Sequence, residues 1–171
     1  MFLGEGGVII SLLYGIIFYL VIIPSCTLIH EMGHALALLL CTKKEIVKIH
    51  IGSGYWDDSN KENIRIGRLR LHFRWGFVGF CSYSKEEEEI KLWKRMIFLL
   101  GGPFASFLSG LAMLLVLNQS SFGHSLLQSI MTFFLVQFAV TFIPMKYPNW
   151  MGAYGGTPSD GYQVLAMIRN K

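Results

Sequence analysis

Long apolar stretches alternate with polar ones along the chain, and the first of them is the longest. It runs from Val8 to Leu40 with few polar side chains. A straight helix of that length would be about 50 Å long, whereas the hydrocarbon core of a bilayer is about 30 Å thick. Because Pro24 lies near the middle and lacks a backbone donor, the pattern predicts one tilted helix with a kink at Pro24. The alternative is a helical hairpin, whose halves would be too short to span.

Two further apolar runs, at residues 96–117 and 126–143, also have the length and composition of membrane spans. The stretch after Pro144 is rich in Pro and Gly, so no regular helix is expected there. The residues from Asp160 onward predict a short C-terminal helix. The expected fold class is therefore a mainly α membrane protein with a three-transmembrane-helix core, in a single domain over residues 1–171.

The segment between the first and second spans, at about residues 45–83, alternates with the two-residue period of β-strands. One alternating run is "EIVKIHIG" and the other is "NIRIGRLRLHFRW", with the polar stretch "YWDDSNKEN" between them. We predict a β-hairpin or small sheet. At Gly67 and Arg68 the alternation of apolar and polar residues shifts by one position, which predicts a bulge there. The run "GFVGFCSY" (76–83) is expected to add a third strand.

Composition supports a membrane protein and gives it an orientation. Hydrophobic residues make up 53% of the chain and charged ones 15%, against about 25% charged in soluble domains. Twelve of the fifteen Lys and Arg residues lie at 41–96, and none lies in the turn at 118–124. This bias predicts a multi-pass protein of the cell membrane with a cytoplasmic β-loop and the N-terminus outside. The basic cluster then reports topology, so the lipid bilayer and not nucleic acid is the expected partner.

The first span carries three ionisable side chains, which are costly in hydrocarbon and usually functional. His30 and His34 are four residues apart on one helix face, and Glu31 lies beside them in "HEMGH". Two imidazoles at this spacing can bind one metal ion. The HExxH pattern on a helix is typical of zinc hydrolases, in which the glutamate is the general base for the attacking water. The alternative is that these groups only form hydrogen bonds between helices.

A catalytic zinc site needs a third protein ligand and an open position. Asp160 is the only acidic residue after Glu89, and it follows the irregular segment at the head of the last helix. Irregular backbone at membrane depth is tolerated where it is buried or lines a cavity, so we expect Asp160 to reach the metal. Asp160 can also cap the last helix. Four other side chains are less favoured, because they are expected on solvated strand faces, across the membrane or beside the site: His50, His72, His124 and Cys26.

Together these motifs resemble the site-2 protease family of intramembrane zinc metalloproteases (M50-type peptidases). The resemblance rests on HEMGH, on "GGPFAS" (101–106) in the second span and on "FIPMKY…TPSDGYQVL" (142–165) after the third. It implies a site that opens towards the cytoplasm and a β-hairpin that dips towards the membrane near it. It also implies one zinc ion per chain and four site residues: the general base Glu31 and the ligands His30, His34 and Asp160.

The chain departs from this family at two positions where asparagine is frequent, which are occupied here by Ser106 and Thr141. In the family these asparagines are associated with contacts to the substrate or to the reacting carbonyl. The segment between Pro144 and Asp160 is also longer than the family's compact spacing. These departures concern substrate contacts and leave the predicted metal ligands in place.

The expected function is hydrolysis of a peptide bond in or near the transmembrane segment of a membrane-protein substrate. An edge of the sheet is expected to take the unwound substrate as an added strand. Two alternatives stay open, a membrane metal carrier or sensor and a non-catalytic adaptor, and so does a regulatory membrane partner. Four strand arginines are expected either to hold anionic groups or to face solvent: Arg65, Arg68, Arg70 and Arg74.

Overall fold

A computed structural model describes residues 5–52, 62–74, 76–84, 90–119 and 124–170 of the protein. In these ranges the chain forms long apolar helices, a small mixed sheet and a short C-terminal helix. The elements are, in chain order, α1 (Glu5–Ile17), a π-helical turn (Phe18–Ile22), α2 (Ile23–Cys41), β1 (Val47–Ile51), β2 (Ile64–Ile66), β3 (Leu69–Phe73), β4 (Gly79–Tyr83), α3 (Leu92–Gln119), α4 (His124–Phe142), a 3₁₀ turn (Gly152–Tyr154) and α5 (Asp160–Arg169).

The described chain contains three helices that are long and apolar enough to cross a membrane. They are Gly7–Cys41, Leu92–Gln119 and His124–Phe142, which confirms the predicted spans to within a few residues. Their outer surfaces carry large apolar side chains that are more than half exposed, such as Leu115 and Val136. Because lipid tails solvate such surfaces and water does not, the protein is a multi-pass membrane protein.

The first span is one continuous helix, and its irregular turn lies just before Pro24. Proline lacks an N–H, and its ring collides with the carbonyl four residues earlier in a regular α-helix. The π-helical turn Phe18–Ile22 widens the backbone there, and the Ile23 amide donates to the Phe18 carbonyl. The predicted irregularity is thus present, and the hairpin alternative is wrong.

The sheet pairs its strands differently from the predicted hairpin. The strand order is β2-β3-β1-β4, in which β1 runs parallel to β3 and antiparallel to β4. The two alternating runs are therefore neighbours but not a hairpin, so the predicted hairpin is wrong, whereas the predicted alternative of a small sheet is confirmed. The predicted third strand is present as β4. The polar stretch between the two runs lies mostly outside the described residues.

The phase slip at Gly67 and Arg68 is a tight turn, so the predicted bulge is also wrong. β2 and β3 form a hairpin in which Ile66 pairs with Leu69, and Gly67 has a φ of +56°. Two-residue hairpin turns need a positive φ, which glycine adopts without a steric penalty. A turn of this length and a bulge shift the alternation in the same way, so the sequence pattern alone does not separate them.

One face of the sheet forms a core with α2. Val47, Ile49 and Leu71 pack with Ala35 and Leu38, and all five side chains are buried. This contact places the sheet over the half of α2 that carries the HExxH motif.

Two of the four arginines have partners within the protein, so for them neither an anionic ligand nor solvent is the main contact. Arg68 donates to the Leu39 carbonyl at 2.8 Å and to the Thr42 hydroxyl at 3.3 Å. Terminal carbonyls of a helix lack intrahelical partners, and a cation there also offsets the helix dipole. Arg70 is buried and pairs with Glu62 at 2.7 Å.

Candidate metal centre

The structure brings His30, His34 and Asp160 together on the inner side of α2. The Nε2 atoms of the two histidines are 3.2 Å apart. Asp160 Oδ2 lies 3.6 Å from His30 Nε2 and 3.5 Å from His34 Nε2. Among the described residues, these form the one group of three His, Cys, Asp or Glu side chains with ligand atoms within 4.8 Å of one another. The fit to a metal ion follows from the chemistry of these side chains.

The orientation of His34 is set by α3. Its Nδ1 lies 2.7 Å from the carbonyl oxygen of Phe98, so Nδ1 carries the proton and donates it. Nε2 is left with a lone pair that faces the cluster. Gly102 makes this approach possible, because a Cβ at that position would overlap the His34 ring.

His30 is held by a polar chain that crosses the other two spans. Its Nδ1 lies 2.9 Å from the hydroxyl oxygen of Ser106 in α3, which is fully buried. The Ser106 hydroxyl donates in turn to Gln137 Oε1 in α4 at 3.3 Å. Since Ser106 gives its own proton to Gln137, it accepts from His30 Nδ1–H, and His30 Nε2 also keeps a lone pair.

The close approach of α2 and α3 brings these partners within reach. Gly33 and Gly101 face each other, and a Cβ on either residue would collide with the backbone oxygen of the other. Small residues at such a crossing let two membrane helices pack backbone to backbone.

Asp160 is delivered by the segment that follows the third span. Ser159, and not Asp160, is the N-cap of α5, because its hydroxyl accepts from the Tyr162 amide at 3.1 Å. The same hydroxyl donates to the Ile143 carbonyl at 2.8 Å, which ties the start of α5 to the end of α4. Gly161 allows this contact, because a Cβ there would overlap the backbone of Phe142. The Asp160 side chain is therefore free of the predicted capping role.

The charge state of Asp160 makes the cluster favourable for a cation. Burial raises the pKa of its carboxyl, but the adjacent imidazoles of His30 and His34 outweigh burial and hold that pKa at about 2. The two imidazole Nε2 atoms and an ionised carboxylate oxygen thus face one point. Zinc bonds of 2.0–2.1 Å in tetrahedral geometry separate ligand atoms by about 3.3–3.4 Å, close to the three distances found here. The residues therefore fit a zinc ion with one open position.

Glu31 lies beside the cluster and beneath the first residue of β4. Its side chain is buried, with 6% exposed. A Cβ on Gly79 would come within 2.8 Å of Glu31 Oε1 and would overlap Thr27. The sheet thus closes over the carboxylate, and only glycine at position 79 leaves room for it.

The less favoured ligand candidates lie outside the cluster. His50 and His72 were expected to be solvated, but both are buried, and their rings stack with centroids 4.4 Å apart. They are neighbours on β1 and β3, on the sheet face opposite Ile49. His124 is exposed at the start of α4, and Cys26 is buried one turn before His30.

Two side chains without a predicted role lie near the site. Gln137 accepts a hydrogen bond from Ser106, and its only signal in the sequence was an amide side chain within an apolar span. Tyr154 lies in the irregular segment, and its hydroxyl contacts both backbone groups of Gly79. Thr141, at one of the family's asparagine positions, donates to the Gln137 carbonyl within its own helix at 2.9 Å.

The fold and the site define a class: a multi-pass membrane protein with an HExxH motif, whose two histidines form a candidate metal-ligand group with Asp160. A model of peptidase family M50 matches residues 16–147. The match spans more than half of the chain, and the protein belongs to family M50, the site-2 protease family. The matched range includes HEMGH and Ser106 but ends before Asp160, whose place at the site rests on the geometry above. No individually curated protein matches the chain.

Proposed function

We propose that the protein is an intramembrane zinc metalloendopeptidase that cuts a membrane protein in or near its transmembrane segment. The observation that carries this proposal is the convergence of three ligand atoms at 3.2–3.6 Å, next to a buried glutamate. Phe98 and Ser106 contact the Nδ1 atoms of the two imidazoles, so the Nε2 atom of each ring faces the cluster.

The ligands His30, His34 and Asp160 would hold one zinc ion per chain. When bound, zinc polarises a peptide carbonyl and lowers the pKa of water, so that hydrolysis proceeds near neutral pH. Glu31 takes a proton from the attacking water and passes it to the leaving nitrogen as the C–N bond breaks. The products are a carboxylic acid and an amine, and Glu31 returns to its starting state.

The substrate must be extended at the scissile bond, because the amides of a helix are hydrogen-bonded and shielded. Within the described sheet β4 is an edge strand, and its first residue, Gly79, lies against Glu31. An unwound segment that pairs with this edge would pass beside the general base. Shape and register of the main chain, more than particular side chains, would then select the bond.

The orientation follows from charge. Twelve of the fifteen Lys and Arg residues lie at 41–96, between the first two spans. By the positive-inside rule this bias supports an orientation with the sheet and the opening of the site at the cytoplasmic side of the cell membrane, and the N-terminus outside.

The test compares wild type with Glu31→Gln and with Glu45→Gln, a buried glutamate outside the cluster. Each is co-expressed with a panel of single-span membrane proteins, and zinc is measured on the purified protein. We expect a shortened fragment with wild type and Glu45→Gln, no fragment with Glu31→Gln, and one zinc ion in all three. Equal cleavage by Glu31→Gln would refute the proposed mechanism. Bound zinc with no cleavage and no effect of Glu31→Gln in the cell would favour a metal carrier or sensor.

A further inference from the structure

Tyr154 makes a contact with β4 that the proposed mechanism does not use. Its hydroxyl oxygen lies 2.8 Å from the amide nitrogen of Gly79 and 3.1 Å from the carbonyl oxygen of Gly79. The phenol thus accepts from the N–H and donates to the C=O of one residue. Burial raises the pKa of Tyr154, which keeps the phenol protonated and able to play both parts.

The two groups of Gly79 that Tyr154 contacts point out of the sheet. Gly79 pairs with Ile51 on β1, while the flanking Gly52 amide donates to the Val78 carbonyl. Hydrogen-bonded and non-hydrogen-bonded pairs alternate in an antiparallel ladder, so the N–H and C=O of Gly79 face away from β1. Since β4 is the edge of the described sheet, the phenol occupies the place that a further strand would take at this residue.

This part of the strand edge lies at the proposed general base. Gly79 packs directly on Glu31 and Thr27. We propose that Tyr154 is a latch on the β4 edge, which the main chain of an extended substrate segment must displace before cleavage. The inference rests on the proposed function and adds a residue that controls how tightly the substrate main chain binds.

The contact of Tyr154 with β4 can be removed without disturbing Asp160, the candidate metal ligand on the same segment. Asp160 is positioned by Ser159, whose amide donates to the Met145 carbonyl at 2.9 Å and whose hydroxyl bonds the end of α4. The loop that carries Tyr154 is closed by its own backbone bond, from the Tyr147 amide to the Thr157 carbonyl at 2.9 Å. Removal of the Tyr154 hydroxyl should therefore free the strand edge without moving Asp160.

The test uses full-length, zinc-loaded Tyr154→Phe, with Tyr162→Phe as a matched control from the same region. Hydrogen exchange of the peptide that contains Gly79 is measured without substrate. Loss of the hydrogen bond from the Gly79 amide should speed exchange at Gly79 about three- to tenfold in Tyr154→Phe. The exchange rate in Tyr162→Phe should equal that of wild type. Unchanged exchange would overturn the latch, whether or not any substrate is cleaved.

The kinetic arm uses the membrane protein that the Glu31→Gln comparison identifies as cleaved. We expect Tyr154→Phe to lower KM about three- to tenfold, with kcat within about twofold of wild type and zinc affinity unchanged. A lower kcat at constant KM would make Tyr154 a transition-state donor, and weaker zinc binding would make it an anchor of the Asp160 segment. Either result would overturn the latch. Absence of cleavage by wild type would instead count against the proposed function.

Discussion

Gly102 lies directly against the imidazole of His34, so closely that a Cβ on this residue would overlap the ring. The contact keeps the Nδ1 atom of His34 on the Phe98 carbonyl and its Nε2 atom on the candidate metal position. The second span therefore shapes the site through the absence of a side chain. This explains why glycine occupies position 102 of a helix in which alanine or leucine would otherwise be favoured.

Gly102→Ala should weaken zinc binding, because the added methyl group pushes the His34 ring away from the Phe98 carbonyl. Misplaced ligands typically cost about 10- to 100-fold in metal affinity. Competition with a chromophoric chelator measures the change. Gly15→Ala is the control, since a Cβ at Gly15 meets nothing within 4 Å. Wild-type affinity in Gly102→Ala would show that the ring does not need this space.

Gln137→Leu should weaken zinc binding about tenfold, although Gln137 is not a proposed ligand. The amide accepts from Ser106, which in turn holds His30 Nδ1–H. Because Gln137 acts through Ser106, its substitution should add little to Ser106→Ala. A double-mutant cycle on zinc affinity measures this coupling, and fully additive effects would contradict the proposed polar chain.

Arg68→Ala should destabilise the docking of the sheet on α2. The guanidinium satisfies the Leu39 carbonyl at the end of the helix that carries the site. Hydrogen bonds from a charged donor of this kind contribute about 1.5–3 kcal/mol where they are buried, and less where the donor is partly exposed, as here. The midpoint of thermal unfolding in detergent should fall for Arg68→Ala and by a smaller amount for Arg65→Ala, whose side chain is exposed. Equal midpoints for the two variants would show that the hydrogen bond from Arg68 to the Leu39 carbonyl does not stabilise the protein.

Much of the helical part of the fold was predictable from local chemistry. The spans follow from apolar runs of sufficient length, and the irregular turn follows from a proline that cannot donate. The meeting of His30, His34 and Asp160 was expected from ligand chemistry and from the family resemblance. Those inferences succeed because each depends on residue types that have few alternative uses in a membrane.

The pairing of the sheet was not predictable from alternation alone. A phase slip at Gly67 fits a bulge and a two-residue turn equally well, and only the Ile66–Leu69 pairing separates them. Likewise, His50 and His72 alternate with apolar residues as solvated side chains do, yet they are buried against each other. The roles of Gln137 and Tyr154 depend on contacts between distant segments, which leave no periodic signal in the sequence.

The central claim is that one zinc ion is bound by two imidazoles and the Asp160 carboxylate. X-ray absorption at the zinc edge, together with metal content, tests it most directly in wild type and in Asp160→Ala. We predict one zinc ion per wild-type chain in a shell of nitrogen and oxygen ligands without sulfur, and a severalfold loss of zinc in Asp160→Ala. Full zinc occupancy in Asp160→Ala with an unchanged ligand shell, or a sulfur ligand in wild type, would contradict the claim.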